Sequence, residues 1–174
     1  MLGPRVYFFL ILVAFVVPVA MAVEAGASAG IREALPNDIS IEAAGRSIVY
    51  TFNFQRMIGN YVGLETGVSA LGGGISEANA LLVFVPVGAK LYLMPQDGAV
   101  YLTGGVVFIN ASVHVGPFEE GDEVDHSEWG TYNYVGLGME YRSSSGLLFR
   151  GTAYGLIADG GFFIWPGLSI GYTF

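Results

Sequence analysis

The sequence contains no cysteine. A disulfide framework, a thiolate metal site and a cysteine nucleophile are thereby excluded. Charge is scarce: Asp, Glu, Lys and Arg make up 13% of the chain, against roughly 25% in average soluble domains. Positive charge is scarcer still, with 7 Lys and Arg against 15 Asp and Glu and a formal net charge of −8. Nothing resembles a basic patch, which argues against nucleic acid as a partner. Beyond the N-terminal segment, no apolar run is long enough for a membrane helix. Every stretch after residue 38 is broken within a few positions by Gly, Thr, Ser, Asn or a charge. No internal repeat is visible.

What is present points to β-structure. The chain is 53% hydrophobic and 14% aromatic and holds 26 glycines. Short apolar segments, aromatics and abundant glycine suit strands joined by tight turns rather than a helical bundle. The 174 residues are enough for one domain with a sizeable core. The apolar excess, with so little charge, needs surroundings other than water.

The start of the chain reads as a secretory signal peptide over residues 1–22. Arg5 is the lone early charge, Val6 through Val19 is apolar, and Ala20-Met21-Ala22 supplies the small-x-small cleavage pattern. A retained anchor is the alternative, and either reading sends the rest across the inner membrane. Cleavage removes Arg5, so the remainder carries about −9. Residues 23–37, rich in Ala and Gly, read as a flexible leader. Residues 38–174 read as the folded domain.

That domain divides into expected strands at Ile48–Arg56, Tyr61–Leu71, Leu81–Leu93, Val100–Val113, Thr131–Arg142, Leu147–Ile157 and Phe163–Phe174. Ile39–Ala44 is a shorter candidate that makes the number eight, with an abrupt break at Gly45. Each of the seven longer segments reaches the roughly 9–11 residues that a transmembrane β-strand needs. Short links (Met57–Asn60, Met94–Gly98, Ser143–Gly146) alternate with longer ones around Gly72–Asn79 and Gly116–Gly130. Outer-membrane barrels have short periplasmic turns and longer outer loops. With the C-terminus in the periplasm, all the short links fall on that side.

Successive side chains of a strand face opposite ways. In the last segment Leu168, Ile170, Tyr172 and Phe174 oppose Gly167, Ser169, Gly171 and Thr173. Ile48, Tyr50, Phe52 and Phe54 likewise oppose Val49, Thr51, Asn53 and Gln55, and Val135, Leu137, Met139 and Tyr141 oppose Gly136, Gly138, Glu140 and Arg142. One face suits lipid, the other a narrow interior. Pro86 is expected to mark a bulge or kink. Glu42, Glu65, Lys90, Glu140 and Arg150 all fall on the interior face. Unpaired charge there is expensive, so these five are expected to form an interior network that fills and ties a plugged barrel. Aromatics near the expected strand ends suggest two interfacial girdles: Tyr61, Tyr92, Tyr101, Tyr141, Tyr172 and Phe174 at one end, and Trp129, Tyr132, Tyr134, Phe162, Phe163 and Trp165 at the other.

The closing Leu168-Ser169-Ile170-Gly171-Tyr172-Thr173-Phe174 resembles the C-terminal assembly signal of outer-membrane proteins, with its terminal Phe and apolar residues at alternate positions. Length and strand count resemble the small OmpA-type and OmpX-type barrels. The stretch from Ile39, with Gly45-Arg46 early and Leu147-Leu148-Phe149-Arg150 late, looks like small outer-membrane proteins of Bacteroidota-type bacteria. The resemblance implies an all-β fold, an antiparallel up-and-down transmembrane β-barrel of porin-like architecture with eight strands. It also implies a place in the bacterial outer membrane, and outer-membrane lipid, periplasmic chaperones and the barrel-assembly machinery as partners. It departs from the pattern in its short first strand.

Chemistry is weakly signalled. Asp125-His126-Ser127-Glu128 holds an acid, a base and a hydroxyl, the ingredients of a hydrolytic triad. As sequence neighbours in an acidic loop they are poorly placed to converge, although His114 could approach. The acids from Glu119 to Glu128 could draw a divalent cation, but lack the ligand spacing of a calcium loop. Gly72-Gly73-Gly74 is followed by no Lys-Ser/Thr pair, so it reads as a loop rather than a phosphate cradle. The expectation is a barrel with a structural or surface-interaction role, without catalysis, metal or cofactor. A narrow pore or small-ligand conduit is the alternative, and a lipid-modifying barrel enzyme stands behind it.

Overall fold

The computed structural model describes residues 30–75, 78–115, 124–158 and 160–174. The expected signal peptide, the first part of the leader and the acids Glu119 to Glu123 lie outside the described residues. A helical turn, α1 (Ile31–Ala34), precedes eight strands. They are β1 (Asn37–Ala44), β2 (Tyr50–Ile58), β3 (Val62–Ile75), β4 (Ala78–Tyr92), β5 (Gly98–Val115), β6 (Val124–Arg142), β7 (Leu147–Ala158) and β8 (Gly161–Thr173). Each pairs antiparallel with the next, and β1 also pairs with β8, closing the barrel. Among the described residues no helix is long and apolar enough to cross a membrane.

The short segment at Ile39–Ala44 is thus a full stave. Ile41 pairs with Phe52 on one side and Ile170 on the other. After it comes the abrupt break. Gly45–Ser47 forms a 3₁₀ turn, with positive φ at Ala44 (57°), Gly45 (70°) and Ile48 (75°). Left-handed backbone at Ala and Ile is unfavourable for L-residues, and here it folds the turn inward: Gly45, Arg46 and Ser47 are all buried.

Two sequence expectations need correction. Gly72 to Ile75, Ala78 and Asn79, and the residues from Val124 to Gly130 are not loops but continuations of β3–β4 and β5–β6. Gly73 pairs with Ala80, and His126 with Val113. Once neighbouring strands are aligned, extending a ladder satisfies backbone donors and acceptors whatever the side chains. Glycine and polar residues therefore hide the extension from a propensity reading. Pro86 makes no bulge: the register from Thr66↔Val87 to Ser69↔Phe84 is unchanged across it. Thr66 Oγ1 donates to its carbonyl at 3.2 Å. Indeed, every strand pair keeps one register from end to end, so the assignment of residues to faces is never reset.

Eight strands leave an interior just wide enough for side chains to fill. The exterior carries Ile39, Phe54, Leu64, Leu102, Leu137 and Ile170, each roughly half exposed. The interior holds Asp38, Glu42, Glu65, Glu140 and five bases, all buried. This is a water-soluble fold turned inside out.

Candidate functional site

The buried charges form two clusters along the lumen. Near the end that carries α1 and Phe174, Glu140 on β6 is the hub. It accepts from Arg150 Nε (2.6 Å), Arg142 Nε (2.8 Å), Arg32 Nη2 (3.0 Å) and the Tyr92 hydroxyl (2.6 Å). Asp38 at the start of β1 is bridged by Arg150 Nη2 at 2.6 Å and Arg142 Nη2 at 2.7 Å. Arg32 reaches in from α1, donating also to the carbonyl of Gln96 at 2.8 Å and stacking over the Tyr92 ring at 4.3 Å. The last part of the expected flexible leader is thus docked in the barrel mouth. Its anchor is a guanidinium whose burial is compensated by a carboxylate and backbone carbonyls.

The second cluster lies around Glu65 on β3. Lys90 Nζ is 2.7 Å from Glu65 Oε2. Arg46, carried in by the 3₁₀ turn, pairs with Glu65, with Asn53 Oδ1 at 2.8 Å and with Glu42 at 3.7 Å. The Tyr154 hydroxyl donates to Glu42 Oε1 at 2.7 Å. A polar chain joins the clusters: Lys90 Nζ donates to Gln55 Oε1 at 3.0 Å, Gln55 Nε2 to the Tyr92 hydroxyl at 3.0 Å, and Tyr92 to Glu140. Beyond it the lumen closes on an apolar layer of Phe84, Val107, Tyr132, Tyr134, Tyr154 and Leu156.

All five sequence-selected charges are buried in the lumen, but they are not one contact set. Glu65 meets Lys90, Glu140 meets Arg150, and Glu42 joins the former pair only through Arg46. Sequence reasoning missed Arg32, Asp38, Arg46 and Arg142. Arg142 shares the interior parity of Glu140, so its signal was present. Asp38 stands one position before the recognised segment. Arg32 and Arg46 lie outside strands, where alternation says nothing. The girdles also need correction: Tyr92, Tyr101, Tyr132 and Tyr134 are buried inside. They share parity with the interior charges, and Tyr92 and Tyr134 spend their hydroxyls on carboxylates. Tyr141, Tyr172, Phe174, Trp129 and Phe162 do lie on the outside, half or more exposed.

Leu168, Ile170, Tyr172 and Phe174 share the outer face of β8 and its end. Phe174 and Asn37 exchange backbone hydrogen bonds, both at 2.9 Å, at the seam between the last and first strands. The Asp125–Glu128 stretch is strand, and adjacent residues of a strand face opposite sides. His126 and Ser127 therefore diverge, and Ser127 Oγ instead accepts from Asn110 Nδ2 at 3.0 Å. Among the described residues no group of three or more metal-ligating side chains converges.

No family model matches the sequence, and no curated protein matches it. The fold is similar to that of the N-terminal β-barrel domain of Pseudomonas aeruginosa OprF, with a TM-score of 0.55 and 15% identity over 80% of this chain and 99% of that one. A weaker likeness is to Ail, the attachment invasion locus protein of Yersinia pestis, with a TM-score of 0.47 and 13% identity over 80% of this chain and 95% of that one. The first likeness concerns the fold: a small eight-stranded barrel of the outer-membrane type.

Proposed function

We propose that the chain is exported, loses residues 1–22, and works in the bacterial outer membrane as a closed, ion-plugged barrel with a structural or surface-interaction role. One observation carries this reading: five cationic and four acidic side chains are buried together inside an apolar-walled barrel. In water such an arrangement is inverted. In lipid the apolar wall is the favourable face, and Arg or Lys placed there at mid-depth costs about 2–4 kcal/mol. Five of the chain's bases are accordingly inside. The end bearing Asn37 and Phe174 faces the periplasm, and the longer β3–β4 and β5–β6 hairpins face out. Outer-membrane lipid, periplasmic chaperones and the barrel-assembly machinery are the partners this placement requires.

The plug favours this role over a pore or conduit, because paired charges and the apolar layer fill the lumen. The divergence of His126 and Ser127 supports a non-catalytic role. Planar-bilayer recording of the refolded barrel is the test, with gel migration before and after boiling to report folding. A boiling-sensitive band without discrete conductance steps is expected. Stable steps from the folded species would replace the plug with a pore.

A further inference from the structure

Because no register is reset, the parity that faces the lumen in the barrel faces the same way to the tip of each strand. In β5 it is odd: Tyr101, Thr103 and Val107 are buried inside. The chemistry of the two faces reverses along this strand. Through Phe108 the outer parity is mostly apolar; beyond it stand Asn110, Ser112 and His114, while the inner parity becomes Ile109, Ala111 and Val113. β4 agrees, with Asn79 outside and Leu82 inside, whereas β6 sets Ser127 outside but keeps Glu128 and His126 on the inner parity. A polar outer face is what a strand needs where it leaves lipid for water. Water gives no such reason for an apolar inner face, yet Leu82 is 39%, Val113 44% and Phe163 56% exposed.

The wall bearing this face is uneven. β1 and β2 have 8 and 9 residues, β5 and β6 have 18 and 19. At about 3.3 Å per residue the difference is roughly 30 Å of strand. On the low side the rim is apolar: Ile48 and Val49 are nearly half exposed. Trp165 of β8, stacked on Phe163, donates from Nε1 to the Ile48 carbonyl at 3.2 Å. Apolar surface therefore runs from the lipid-facing Phe52, over this rim, past Trp165 and into the cup, whose floor is the sealed layer of Phe84, Val107 and Tyr132.

We propose that the cup holds one alkyl chain of a membrane amphiphile that slides in over the Ile48–Val49 rim. The head of that amphiphile is neutral or cationic. Among the described residues, the nearest Lys or Arg is Arg46, and its guanidinium is engaged by Glu65 and Asn53; the wall above offers Glu128 and His126 on its inner parity. The sealed floor makes this a binding site rather than a passage. The inference rests on the membrane placement proposed above.

The chain has two tryptophans, and they report separately. Trp165 sits at the cup and Trp129 on the outer parity of β6, 68% exposed. The probe is a single-chain alkyltrimethylammonium brominated on its tail, titrated into phosphatidylcholine vesicles carrying Trp129→Phe or Trp165→Phe protein. Bromine quenches on contact. Trp165 emission should be lost saturably, while Trp129 emission falls only in proportion to bulk partitioning. Leu82→Gln with Val113→Gln, added to Trp129→Phe, should abolish the saturable part, and a brominated alkyl sulfate should not reproduce it. Identical linear quenching of both tryptophans, or saturation that survives the double substitution, overturns the site. Saturation by the sulfate overturns the head-group assignment. Boiling-sensitive migration and Trp129 quenching by brominated phospholipid report the membrane barrel itself. If those hold and Trp165 does not saturate, the cup fails alone; if they fail, the membrane reading falls and the cup with it.

Discussion

Replacing Glu140 by alanine removes the hub of the lower cluster. Three guanidiniums, those of Arg32, Arg142 and Arg150, lose a carboxylate they contact at 3.1 Å or less, and the Tyr92 hydroxyl loses its shorter acceptor, keeping only Gln55 Oε1 at 3.4 Å. The lumen then holds five bases against three acids. Breaking a buried pair by deleting one partner typically costs about 3–5 kcal/mol, because the remaining charge is left buried and uncompensated. With three partners affected, the upper end applies. At a slope of about 2–3 kcal/mol per M urea, the unfolding midpoint in vesicles should fall by roughly 2 M, read as loss of the fast-migrating folded band. The partners sharpen the test. Arg32→Ala removes the charge in excess, so it should destabilise the wild type more than it destabilises Glu140→Ala, giving a coupling of about 0.5–3 kcal/mol. A Glu140→Ala shift below about 0.3 M, with no coupling to Arg32, would mean that the charges are hydrated and screened. The lumen would then be a wet channel and the reasoning behind the plug would fail.

Other outcomes follow from the same geometry. Leu168→Arg, on the lipid face, should cost about 2–4 kcal/mol in vesicle unfolding, whereas Ser169→Ala, one residue on and facing inward, should cost under about 1 kcal/mol. Gly105→Val should block folding or cost more than about 3 kcal/mol, because its Cβ would lie 2.7 Å from the Gly88 Cα, a backbone atom of the next strand that cannot step aside; the folded-band yield measures it. Phe174→Ala removes a half-exposed ring but none of the backbone seam with Asn37, so the purified barrel should keep its urea midpoint while the amount assembled in cells falls.

The fold was legible because its signal is periodic. Alternation in Leu168 to Phe174 and Val135 to Arg142 requires no knowledge of partners, and constant register carried the pattern round the barrel. Strand ends were less legible. What extends β3 to Ile75 and β6 back to Val124 is the ladder already formed by a neighbour, which propensity does not see. The site divided in the same way. Glu65, Lys90, Glu140 and Arg150 could be placed by parity alone. Arg46 could not, since it enters the lumen only because Ala44, Gly45 and Ile48 take left-handed backbone. Nor could Arg32, whose place depends on a carboxylate 108 positions away in sequence. Tyr92 and Tyr134 belong to no girdle, because parity rather than aromatic identity decides their face, and parity sets them inside.

The unbroken register has a consequence for how such a chain can change its length. One residue inserted within a strand would swap the faces of everything beyond it, turning Glu140 toward lipid or Leu137 toward the lumen. Length variation inside the staves is therefore confined to steps of two, while single-residue gains and losses can be absorbed only at the hairpin tips. Related barrels should differ freely at the β3–β4 and β5–β6 tips and by even numbers elsewhere. The 3₁₀ turn at Gly45–Ser47 should keep its length, since adding to it would withdraw Arg46 from the lumen.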